Sequence, residues 1–159
     1  MLQEAQIPIV YHDEMRDTKG KLRVLSLFSG CGGMDLGFEG MFIANRKSFP
    51  QDSLYIDHAI NKNWVMLKKT KFKTVFANDI LNEAEVAWTT YMSRFGYQPE
   101  MYHNISIVDL VKMHKQGADI FPKNIEVVTG GFPCQDFSVA GKRKGFNSDK
   151  DDYGKKREG

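Results

Sequence analysis

The chain has 159 residues, 42% of them apolar, which is enough for one α/β core and short for two domains. Its formal net charge of +2 assigns no class of partner by itself. Two cysteines, Cys31 and Cys134, with no C-x-x-C pair and no signal-like start, argue against a disulfide framework and for a reducing cytoplasm.

No apolar run approaches the roughly 18 residues needed to cross a membrane. The four histidines, His12, His58, His103 and His114, lack metal-ligand spacing, so no metal is expected.

In chain order, residues 1–21 are polar and read as a leader arm. "LRVLSLF" (Leu22 to Phe28) is a short apolar, β-leaning run that enters the glycine turn "SGCGG", and "MDLGFEGM" supplies the first turns of a helix. The stretch 45–72 has loop-like flanks around "DHAINKNWVMLKK", where Ala59, Trp64 and Leu67 fall at helical spacing; it reads as an insertion. "KTVFAND" is a second strand ending at Asp79. Ala84, Ala87, Trp88, Tyr91 and Phe95 then recur three or four apart and stop at Gly96, predicting an amphipathic helix with a glycine cap and its aromatics in the core. Ser106, with Asp109 three later, opens a short helix as a capping-box variant. Ile125 to Thr129 form a strand running into "GGFPC". This alternation predicts a parallel sheet with crossover helices and no internal repeat.

Glycines after the first strand let a ligand approach the backbone. The dinucleotide fingerprint fails, because G-x-G-x-x-G laid on Gly30 and Gly32 places Asp35 at the third position, which leaves room for a smaller nucleoside ligand. Asp79, at the carboxyl end of its strand, is placed either to accept from ribose hydroxyls or simply to cap the next helix. Cys134 sits in a turn after Pro133, where a side chain is exposed rather than packed. From Gly141 to Gly159 seven basic residues face four acidic ones, a local +3 that on charge alone reads as a solvated tail.

"LFSGCGGMDLGFEG" (Leu27 to Gly40) and "GGFPCQDFSVAGKRKGF" (Gly130 to Phe146), in this order and about a hundred residues apart, resemble two motifs of the DNA cytosine-5 methyltransferase family. The resemblance covers roughly Lys21 to Gly145 and implies a Rossmann-like, S-adenosylmethionine-dependent methyltransferase fold, α/β with a mostly parallel sheet and flanking helices, here incomplete. It implies that Phe28 stacks on the adenine, and that Gly30 and Gly32, with the adjoining backbone of Ser29, Cys31 and Gly33, hold the methionine part. Asp79 would take the ribose hydroxyls, Ile80 would pack on the adenine, and Asn104-Ile105 would meet its amino group. The family more often has glutamate where Asp79 stands and aspartate where Asn104 stands.

By the same resemblance Cys134 is the nucleophile. Pro133 fixes its own φ, is counted with the cofactor contacts, and would aim the thiol outward. Gln135, Ser138, Lys142, Arg143 and Lys144 become a loop closing over double-stranded DNA, with the cations at phosphates. The segment 134–159 is thus expected to be catalytic loop and basic stretch. The family's glutamate-asparagine-valine motif and recognition region are not found in these residues, so the expectation is an amino-terminal part of a catalytic domain that lacks turnover alone. A restriction-modification enzyme of the bacterial cytoplasm or nucleoid is implied. An RNA cytosine methyltransferase of the same fold, or a non-catalytic module binding the cofactor or a partner, is the alternative.

Overall fold

A computed structural model describes residues 20–131. Leader arm, Pro133, Cys134 and the basic segment fall outside these residues, apart from Gly20 and Lys21. Strand β1 (Leu22–Leu27) leads through the glycine turn into helix α1 (Gly33–Glu39). Short strands β2 (Ile43–Asn45), β3 (Ile56–Ala59) and β4 (Trp64–Leu67) come next, then the long strand β5 (Phe72–Asp79). Helix α2 (Asn82–Met92), strand β6 (Tyr102–Asn104), helix α3 (Ile107–Lys115) and strand β7 (Val127–Gly130) complete the described chain.

The main sheet has four strands in the order β6-β5-β1-β7, and every pairing is parallel. Parallel sheets are covered on both faces, so their central strands read as continuous apolar runs. β5 fits, with Thr74 through Asn78 all buried. Alternation along it divides the core. Ala77 meets Ala84, Trp88 and Met92 on one face, while Phe76 meets Leu25, Leu110 and Ile120 on the other. Helices α2 and α3 therefore sit on opposite sides, which is the α/β layering predicted from the alternation.

The buried stripe of α2 is Ala84, Trp88 and Met92 at a spacing of four, with Tyr91 and Phe95 packed partly against it. Ala87, which shares the three-or-four spacing, is exposed. The reason is register: the stripe follows i, i+4, i+8 from Ala84, and Ala87 lies one position off it. Gly96 ends the following short 3₁₀ turn at φ 78°, the left-handed cap expected there. Ser106 accepts a hydrogen bond from the Val108 N–H and caps α3.

The segment with helical spacing at Ala59, Trp64 and Leu67 contains no helix. β2, β4 and β3 form a separate antiparallel sheet in that order. Ala59 and Trp64 lie on either side of a turn, where Asn61 Oδ1 accepts from the N–H of Asn63 and of Trp64. An asparagine satisfying the backbone two residues on is a turn former, and it breaks the helical run. Beyond the turn, Val65 and Leu67 are buried while Trp64 is exposed, a period of two. This sheet is fastened to the start of β1 and β5: a bridge joins Gly40 to Lys69, the Thr70 hydroxyl donates to Phe38 O, and Lys21 Nζ donates to Thr70 O. Gly40, at φ 72°, must be glycine, since a Cβ would lie 2.0 Å from Lys68 O.

Candidate functional site

At the carboxyl end of β1 the chain departs sharply from strand geometry. Phe28 has φ 52°, Gly30 φ 53° and Gly32 φ 88°, so three of five consecutive residues are left-handed. Gly32 N–H donates to Ser29 O at 3.0 Å, closing the turn against α1. The turn is tied to β5 through two residues. Ser29 N–H donates to Asn78 O at 2.8 Å, and Ser29 Oγ accepts the Asn78 N–H at 3.1 Å. Gly30 N–H donates to Asp79 Oδ2 at 3.0 Å.

Asp79 also accepts the N–H groups of Ile80 and Leu81 on Oδ1, at 2.7 and 3.2 Å. It is not the cap of α2: that helix starts at Asn82, and its N-cap residue Leu81 makes no side-chain bond. The carboxylate instead bridges the ends of two adjacent strands, with Oδ2 holding one partner among the described residues.

Asn78, which sequence reasoning passed over, organises the end of β6. Its Nδ2 donates to His103 O at 2.8 Å and to Ile105 O at 2.6 Å, gripping the chain on both sides of Asn104. Asn104 pairs in register with Asp79, and its own Nδ2 is buried without a hydrogen-bond partner among the described residues. The signal for Asn78 was present as a polar residue inside an apolar strand, which has to find partners. His103 stacks on Phe76 with ring centroids 4.3 Å apart, and burial pushes its imidazole down to about 4, so it is neutral at physiological pH.

Beneath the turn lies a buried layer. Trp88 is fully buried, and its indole N–H donates to Asp35 Oδ2 at 2.7 Å. A Cβ on Gly32 would sit 2.7 Å from Trp88 Cδ1, so the turn rests directly on the indole. Tyr102 packs at a tilt against Trp88 and donates its hydroxyl to Gly30 O at 3.1 Å. Burial, then the Asp79 charge, pushes the Tyr102 phenol well up, which keeps it a donor. Burial likewise pushes the Asp35 carboxyl above the usual carboxylate range, opposed by the Ser26 hydroxyl and the indole.

The sequence-predicted residues Ser29, Gly30, Asp79, Asn104 and Ile105 are thus joined through Asn78 and direct bonds at the carboxyl edge of β1, β5 and β6. Cys31, Gly33 and Ile80 are exposed around this edge, and Phe28 is half-buried. In open α/β sheets this edge is where ligands bind. Cys134, Pro133, Gln135, Ser138, Lys142, Arg143 and Lys144 lie outside the described residues. The last described strand, β7, ends beside Leu27, three residues before Pro133.

A family model described as C-5 cytosine-specific DNA methylase matches residues 22–153. The chain is 35% identical over 126 residues to the Type II methyltransferase M.BsuRI of Bacillus subtilis, covering 77% of this chain and 25% of that protein. It is 33% identical over 140 residues to the Type II methyltransferase M.BspRI of Lysinibacillus sphaericus, covering 84% and 28%. Against the DNA (cytosine-5-)-methyltransferase M.ApeKI of Aeropyrum pernix it is 30% identical over 125 residues, covering 72% and 20%. The chain therefore spans about a quarter of the length of these relatives. No solved structure matches it.

Proposed function

The chain belongs to the C-5 cytosine-specific DNA methylase family, and from that membership we propose that it serves methyl transfer from S-adenosylmethionine to carbon 5 of cytosine in double-stranded DNA. The observation that carries the cofactor half is the Gly30 to Asp79 bond, which sets a left-handed glycine turn beside a strand-end carboxylate. The residues fit an adenosine ligand. Asp79 Oδ2 has accepting capacity for ribose hydroxyls, and the unpartnered Asn104 Nδ2 is a donor suited to an adenine ring nitrogen. Asparagine in place of the family's aspartate keeps an acceptor for the adenine amino group and adds that donor. Exposed Ile80 and half-buried Phe28 supply apolar surface for the base.

S-adenosylmethionine, when bound, supplies an electrophilic methyl on a sulfonium. Carbon 5 of cytosine is too weak a nucleophile to accept it unaided. In this proposal Cys134, as thiolate, adds to carbon 6 and makes carbon 5 enamine-like; after methylation, loss of the carbon 5 proton to a base expels the thiolate. A thiol of ordinary pKa near 8.5 is only a few per cent ionised at neutral pH, so positive potential from Lys142, Arg143 and Lys144 would raise the reactive fraction. The cytosine must leave the base stack to be reached, and the same cations would hold flanking phosphates meanwhile.

Fluorine at carbon 5 blocks the final proton loss, so a duplex carrying 5-fluorocytosine at the target should be captured covalently by the enzyme containing this chain. Peptide mass spectrometry is expected to place the adduct on Cys134, dependent on S-adenosylmethionine. An adduct on another residue, or capture undiminished by Cys134→Ser, would refute the assignment.

A further inference from the structure

The antiparallel β2-β4-β3 sheet lies at the end of the main sheet where β1 and β5 begin, so about 20 Å of strand separates it from the glycine turn. Nothing in the proposed reaction employs it. Its composition is nonetheless unlike the rest of the described chain. Residues 43–73 hold seven basic and two acidic residues, a local +5, whereas the remaining residues of 20–131 hold six basic and nine acidic ones. Five lysines of this segment, Lys47, Lys62, Lys68, Lys69 and Lys71, are exposed, and none forms an ion pair among the described residues. Cations left unpaired and concentrated in one small unit form a field for a polyanion rather than a network holding the fold together.

Strand parity shows which way the surface faces. Val65 and Leu67 are buried, so Trp64 and Met66 point outward, and Lys68 continues that series. Ile43 pairs with Met66, Asn45 with Trp64 and His58 with Met66, which puts all of them on the same outer face. Trp64, at the turn end of β4, is 45% exposed, and Tyr55, whose carbonyl accepts the Lys68 N–H at the opposite end, is 72% exposed. Lys47 and Lys62 flank the turn end, where Arg46 N–H donates to Asn63 O, and Lys68 stands at the other end. The four extended residues of β4 between these two ends cover about 13 Å, or about four phosphates along one DNA strand.

We propose that the outer face of the β2-β4-β3 sheet is a second DNA-contacting surface, which binds the phosphate backbone of duplex DNA away from the reacting cytosine. Charge complementarity selects the occupant. An apolar partner protein would not require five unpaired lysines, and the exposed indole and phenol offer amphipathic contact area at low entropic cost. The surface reads no sequence, since lysine contacts to phosphate position a duplex without specifying it. It would anchor the enzyme on flanking or neighbouring DNA while the target base is engaged elsewhere. The inference takes from the proposed function only the class of polymer handled.

Fluorescence anisotropy of the intact 159-residue chain with a labelled duplex tests this across a salt series. At about 50 mM salt the chain is expected to bind in the micromolar range. The variant K47Q/K62Q/K68Q should bind at least about tenfold more weakly and lose about two to three units of the slope of log K against log salt. Its binding of S-adenosylhomocysteine should match the unsubstituted chain; failure of that unsubstituted chain to bind the cofactor product would count against the proposed reaction and not against this surface. An unchanged affinity and slope in the triple variant would overturn the inference, as would absence of duplex binding below about 100 µM. Poly-glutamate bound as tightly as the duplex would overturn DNA as the occupant in favour of an acidic protein.

Discussion

Gly32→Ala should lower stability by about 3 kcal/mol and weaken the proposed S-adenosylmethionine binding at least tenfold. The first part combines two costs. Gly32 has φ 88°, a left-handed conformation that costs an L-residue about 1–2 kcal/mol. A Cβ there would also lie 2.7 Å from Trp88 Cδ1, and the indole is fully buried with no room to withdraw. Overpacking of that kind costs about 1–3 kcal/mol. The binding loss follows because the turn must lift off the indole, which moves Gly30 N–H away from Asp79 and disturbs the edge proposed to hold the cofactor. Gly33→Ala is the control for stability: its added Cβ meets nothing within 4 Å and Gly33 has no positive φ, so the change should be within about 0.5 kcal/mol. Urea midpoints and calorimetric titration measure both. Equal behaviour of the two alanine variants would contradict the packing argument.

Asp35→Ala should cost about 1–3 kcal/mol, because it leaves the buried Trp88 N–H without an acceptor. Asp35→Asn retains an acceptor for that N–H and removes the ionisation. The sign of its pH dependence follows from the raised native carboxyl. A carboxyl whose native pKa lies above the unfolded value stabilises the fold while protonated, and that contribution is lost as pH rises through the native pKa. Wild type should therefore lose stability relative to Asp35→Asn as the pH rises above about 4, the ordinary carboxylate value. The nearby Glu39 carboxylate, buried against Thr74 N–H and the Tyr97 hydroxyl, adds to the cost of a charged Asp35. Urea unfolding of both proteins across that range checks it, and a gap that stays constant or opens the other way would be the contrary result.

What was legible in the sequence was what local chemistry fixes. The glycine turn, the acid closing the second strand and the serine opening α3 each depend on a few consecutive residues, and the structure has all three where the sequence puts them. The Asp35 to Trp88 bond spans 53 positions and left only indirect traces: an acid where a dinucleotide fingerprint wants glycine, and an indole on a core stripe that must find an acceptor. Asn78 was hidden in the same way. The 45–72 segment misled because Ala59, Trp64 and Leu67 match a helical period by coincidence, while the turn at Asn61 and the alternation after it carry the determining signal. β6, at three residues, is too short to show any period.

The central claim is that the edge joining the glycine turn, Asp79 and Asn104 holds S-adenosylmethionine. Calorimetric titration of the chain with the unreactive product S-adenosylhomocysteine tests it most directly, comparing the unsubstituted chain with Asp79→Ala and with Cys134→Ser. One site per chain is expected, weakened at least about tenfold by Asp79→Ala through loss of charge-assisted hydrogen bonds, and unchanged by Cys134→Ser. No binding by the unsubstituted chain, or equal affinity with and without the Asp79 carboxylate, would contradict it.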